Sequence, residues 1–145
     1  IVRKPVFDAF MQGPDGIELF HGYTYSGHPL AAAAGEATLA LYHDEQLFAY
    51  AANLGAHFEN AAHSLVDLPN VIDVRNIGLM AGIELAPRPG KPGARGSEAL
   101  VRCFEAGLLT RVTGDTLACS PPLIVNKAQI DEIFGTMGKV LREIA

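Results

Sequence analysis

The sequence predicts an α+β fold, an antiparallel sheet packed with helices, and three observations carry that expectation. Two stretches rich in strand-forming residues, "VIDVRNIGLMAGIEL" (71–85) and "LLTRVTGDTLACSPPLIV" (108–125), each break at a turn signal. A short helical segment separates them, and a longer helical stretch stands on either side. The order helix, two strands, helix, two strands, helix favours local hairpins and a layered α+β arrangement.

The elements follow in order. "IVRKPVFDAF" opens on a β-branched pair and reads as the interior of a strand, as though the chain were a piece of something longer. Glycines and prolines then make residues 11–28 mostly loop. Ser26 is the expected N-cap of the next helix, and Pro29 suits its first turn, where a missing N–H costs nothing. From 29 to 66 Ala34, Ala37, Leu41, Phe48, Ala51, Gly55, Phe58, Ala62 and Leu65 keep three-and-four spacing. Small residues dominate the first half and aromatics the second. A long helix, bent near "HDEQ" and meeting different neighbours along its length, explains this better than a coiled coil. "DLPN" breaks it. The first strand pair should meet around Asn76 to Gly78, and "RPGKPGAR" (88–95) is an exposed loop. A short helix capped by Ser97 should end at Gly107, and the second hairpin should turn at "TGD". An Asn126-capped amphipathic helix closes the chain.

Composition narrows the function. The 145 residues are 49% apolar and 19% charged, enough for a buried core. A net charge of −5 without a basic stripe argues against nucleic acid as a partner. Cys103 and Cys119 lack metal or disulfide spacing, which favours the cytoplasm. No uncharged apolar window reaches the roughly 18 residues of a membrane span.

No complete catalytic constellation is visible. The five histidines match no metal motif, and His43, His57 and His63 read as helix-surface or helix-packing residues. Ser120 has no evident base partner, and Asp115 should serve its turn. Two features invite chemistry. Tyr23 and Thr24, just ahead of a helix N-terminus, could aim donors at phosphate oxygens, or the hydroxyls could merely cap the helix. Arg111, among apolar residues of a short strand, could offer a fork to a carboxylate, or form a cross-strand ion pair, or extend along the surface. Arg75 has only the ion-pair or surface reading.

"FHGYTYSGHPLAAAAGEATLALY", "VIDVRNIGLMAGIEL" and "GLLTRVTGDTLACSPPLI" stand in the order and spacing of the class III pyridoxal-phosphate aminotransferases. The chain most resembles the omega-amino acid–pyruvate members, across essentially its whole length. The resemblance implies the C-terminal part of a fold-type I enzyme. Residues 1–28 would be a remnant of the large cofactor domain, 29–66 a linking helix, and 67–145 the small α+β domain. It implies that Tyr23 and Thr24 reach the cofactor phosphate of the other subunit of a homodimer, and that Arg111 is a mobile arginine binding a substrate carboxylate. The family's cofactor-bonding lysine lies upstream of the Tyr23 loop, and Lys4, Lys91, Lys127 and Lys139 stand in no matching motif. The chain by itself should therefore be inactive and hold no pyridoxal phosphate. An ornithine- or GABA-type aminotransferase, an aminomutase on the same scaffold, and a free-standing α+β interaction domain are the alternatives.

Overall fold

The computed structural model describes residues 2–13 and 22–144, so Phe20, His21 and much of the expected loop lie outside the described residues. The chain forms two compact units, residues 1–40 and 41–145.

In the first unit the strand expected at the start is a helix, α1 (Lys4–Phe10). Pro5 sits in its first turn, where its fixed φ suits a helix, and Lys4 pairs with Asp8 one turn on at 2.8 Å. Those two local interactions outweigh the β-branched pair that precedes them. Helix α2 (Pro29–Asp44) starts where Pro29 was expected to start it and runs from this unit into the next. None of its residues is buried.

The second unit holds the core. The single helix expected over 29–66 is two helices, α2 and α3 (Leu47–His63). The break falls at "HDEQ", where Gln46 adopts a left-handed φ of 50°. Its side-chain amide and its backbone amide both donate to the His43 carbonyl, at 2.6 and 3.3 Å, so one carbonyl of the interrupted helix takes both bonds. The break also divides the apolar stripe. Ala51, Phe58, Ala62 and Leu65 are buried, whereas Ala34, Ala37, Leu41 and Phe48 are exposed.

Both expected hairpins are present. Strands β1 (Val71–Ile77) and β2 (Met80–Leu85) turn through Gly78 and Leu79. Helix α4 (Ala94–Glu105) follows, then β3 (Arg111–Thr113) and β4 (Thr116–Cys119), and α5 (Lys127–Glu143) ends the unit. The sheet is antiparallel in the order β1-β2-β4-β3, which leaves β1 and β3 as edges. Val74, Ala81, Ile83, Leu117 and Cys119 point to one face, where α3 lies over β1 and β2 and α4 over β3 and β4. Helix α5 packs against both helices, and the Phe58 and Phe134 rings meet edge-on at 5.0 Å.

Helix ends show where local rules suffice. Asn126 and Gln129 form a reciprocal capping box on α5, and Gly107 takes the left-handed conformation just past α4. Ser97, expected to cap α4, lies inside its first turn and donates to the Gly93 carbonyl at 2.8 Å. The cap comes from elsewhere in the chain, as described below.

Candidate functional site

The first candidate is the turn before α2. The Tyr23 amide donates to Ser26 Oγ at 2.9 Å, and the Ser26 amide returns a bond to the Tyr23 carbonyl at 2.9 Å. The His28 amide then bonds the Tyr25 carbonyl at 3.1 Å, with Gly27 at φ 75° between them. Ser26 is thus used to close the turn and not to cap the helix. His28 takes the cap position: its Nδ1 accepts from the Ala31 amide at 3.4 Å and its carbonyl from Ala32 at 2.9 Å. Tyr23, Thr24 and Tyr25 project into solvent. The Thr24 hydroxyl has no partner among the described residues, so it is not consumed in capping.

The second candidate is the sheet face turned away from the helices. Register places Arg75, Gly82, Ala118 and Arg111 in one cross-strand row, with the two small residues between the two arginines. Side chains directly opposite share a face, so both guanidinium groups rise beside a low floor. The result is a shallow recess of about 450 Å³ bordered by Arg75, Ile77, Met80, Gly82, Arg111 and Ser120. The two arginines differ in one respect. Arg75 donates to Asp73 on its own strand at 2.6 Å and across to Glu84 on β2 at 2.8 Å, the latter being the cross-strand pairing expected of it. Arg111 has no ion pair among the described residues and is exposed. Tyr23 and Thr24 belong to the first unit and Arg111 to the second.

Other residues singled out in the sequence take packing roles. His57 meets Asp131 at 2.8 Å, tying α3 to α5, and His63 meets Asn76 at 2.9 Å, tying α3 to β1. Ser120 is exposed just past β4. No cluster of three His, Cys, Asp or Glu able to hold a metal occurs among the described residues.

Asp115 does more than its turn requires. Its carboxylate accepts the Gly93 amide at 2.6 Å and the Gly96 amide at 2.9 Å, so the tip of the β3–β4 hairpin caps α4. Arg95, next to these amides, donates to the Ala86 carbonyl at 2.8 Å and the Ile144 carbonyl at 3.0 Å. The Gly96 and then the Gly93 amide hold the Asp115 carboxyl below its ordinary range. The folded state therefore gains stability from this group above the usual aspartate value near 4, and loses it as pH falls through the lower folded value. Asp115→Asn should flatten the pH dependence of the urea midpoint in that acid window. An unchanged acid slope would show that the cap does not contribute. Local sequence rules could not find this residue, because helix and cap are 22 positions apart.

A helix-backed antiparallel sheet of this topology is an α+β fragment of a fold-type I pyridoxal-phosphate enzyme. The comparisons with known proteins give the family. The Aminotransferase class-III model matches residues 1–141, and the chain belongs to that family. It is 56% identical over 140 residues to the omega-aminotransferase of Caulobacter vibrioides, covering 96% of this chain and 32% of that protein. It is 39% identical over 148 residues to the beta-alanine–pyruvate aminotransferase of Pseudomonas aeruginosa, covering 100% of this chain and 33% of that one. The solved omega transaminase from Pseudomonas jessenii in complex with PMP aligns at TM-score 0.78 and 34% identity, over 87% of this chain and 29% of that one. A transaminase solved with L-Ala aligns at TM-score 0.78 and 36% identity, over 87% and 31% respectively. The chain thus spans about a third of the length of these relatives. Class III aminotransferases depend on pyridoxal phosphate.

Proposed function

We propose that the whole protein moves an amino group from an ω-amino acid or simple amine to pyruvate, and that this chain supplies its carboxylate-binding arginine. The observation that carries this reading is Arg111, a strand-borne guanidinium without an ion-pair partner among the described residues, exposed beside a shallow recess. A planar fork of that kind receives a carboxylate through two parallel N–H bonds and so fixes the adjacent carbonyl carbon in one orientation. Pyridoxal phosphate, when bound, supplies the carbonyl that carries the amino group between two half-reactions.

The donor set of the first unit fits one edge of a phosphate. The Thr24 hydroxyl, which has no partner among the described residues, and the Tyr23 side chain both project from the turn, and in this reading they contact the cofactor phosphate held by the partner subunit of a homodimer. The surface of α2 supports a larger assembly. Only Glu36, Thr38, His43 and Asp44 interrupt its apolar sequence, yet none of its residues is buried within the chain. A helix apolar nearly all round is normally enclosed. We accordingly assign residues 1–28 to the edge of a large cofactor domain, 29–66 to the link, and 67–145 to the small domain. Two free, buried thiols suit a reducing compartment such as the cytoplasm.

The cofactor-bonding lysine would come from outside these residues. The test is spectroscopic. The full-length protein, purified with pyridoxal phosphate, should show the absorbance of lysine-bound cofactor, lose it on adding an amine and regain it on adding pyruvate. The 145-residue chain alone should show no such band. A full-length protein whose spectrum ignores both substrates would overturn the proposal.

A further inference from the structure

We propose that Thr110 is a positioning residue for Arg111, its hydroxyl holding in register the edge strand that carries the arginine. The inference rests on the carboxylate-binding reading of Arg111. Strand β3 has three residues and lies at the sheet edge, so β4 alone pairs with it. Few ladder bonds hold so short a strand, and a slip of one residue would turn Arg111 from the open face toward the core.

The two ends of β3 are held differently. At its far end the two-residue turn Gly114–Asp115, with Gly114 at φ 59°, sets the pairing, and Asp115 anchors the tip to α4. At its near end the chain arrives from α4 through Leu109, which is 80% exposed and contributes nothing to the core. There the Thr110 hydroxyl donates to the Ala118 carbonyl at 2.8 Å. Ala118 is the residue directly opposite Arg111. The side chain preceding the arginine is therefore bonded to the backbone of the arginine's own cross-strand partner. Thr110 is half-buried and lies outside the hydrophobic core. Losing its hydroxyl should free the near end of β3, and with it the guanidinium, while leaving the packing of the unit intact.

The experiment uses the full-length holoenzyme, with the pyruvate half-reaction and the half-reaction of a carboxylate-free alkylamine followed separately. Thr110→Val should raise the pyruvate concentration for half-maximal rate about fivefold, the size of one lost hydrogen bond. The maximal rate and the alkylamine half-reaction should stay within about twofold of the parent. Binding of propionate, a carboxylate that cannot react, should weaken by the same factor in a titration of cofactor absorbance. Thr110→Ser, which keeps the hydroxyl, should restore all three. Equal losses in both half-reactions, no loss at all, or failure of serine to rescue would each overturn the proposal. Arg111→Ala in the same assays separates the two levels. If that variant shows no carboxylate-selective loss, the reading of Arg111 falls and this inference with it. If it does and Thr110→Val does not, the inference alone falls.

Discussion

Arg111→Ala is expected to lower kcat/KM for pyruvate by roughly 10- to 150-fold, the loss of about 1.5–3 kcal/mol of charge-assisted hydrogen bonding. Turnover of a simple alkylamine in the other half-reaction should change little, because that substrate offers the guanidinium nothing to hold. The asymmetry is the diagnostic, not the size of the loss. Arg111 lies on an exposed edge strand outside the core, so truncating it removes a contact without opening a cavity. Arg111→Lys should recover only part of the activity, since an ammonium keeps the charge but cannot form two parallel bonds. Equal losses with pyruvate and with the amine would exclude a carboxylate-specific role. They would leave the scaffold to a class III enzyme whose acceptor is held by other residues.

Gly96→Ala should be the most damaging small substitution at the α4–hairpin junction. A Cβ at Gly96 would stand 2.3 Å from the Gly114 carbonyl oxygen, 2.8 Å from Asp115 Cα and 2.8 Å from Val112 Cγ2. Two of those three neighbours are backbone, so no rotamer change can relieve the contact. Either α4 or the hairpin must move, and the Asp115 bonds to the Gly93 and Gly96 amides stretch with it. Overpacking of this kind costs about 1–3 kcal/mol, and loss of the cap adds about 1 kcal/mol. The urea midpoint should fall by a corresponding amount. Because the displaced turn ends the strand that bears Arg111, pyruvate binding should weaken alongside stability. A midpoint unchanged within error would show that the junction yields at no cost.

The sequence made much of the second unit legible, for physical reasons that can be named. Both hairpins, the Asn126 capping box and the Gly107 stop each depend on residues within a few positions of one another. Such signals survive without tertiary information. Elsewhere local signals misled. At the start, β-branched residues suggested a strand where Pro5 and a Lys4–Asp8 pair make a helix. Along the long apolar stripe, the bend expected near "HDEQ" is a full break, because the backbone reverses its φ at Gln46. A period reports which face is apolar and is silent about a left-handed residue that interrupts it.

The candidate sites divide along the same line. Sequence by itself determined the family, the turn that carries Tyr23 and Thr24, and the strand that carries Arg111, because each is a local pattern of residues. It could not choose between an arginine held in an ion pair and one left open. Both arginines admitted an ion-pair reading, and the sheet register brought Glu84 across to Arg75, beside its strand neighbour Asp73, but none of the described acidic groups to Arg111. Nor could it find Asp115 as the cap of α4, or Gly96 as the point where helix and hairpin touch. Those depend on segments distant in sequence meeting in space. Local hydrogen bonds and steric limits write themselves into neighbouring residues, whereas the partner of a side chain across a sheet is decided only when the chain closes.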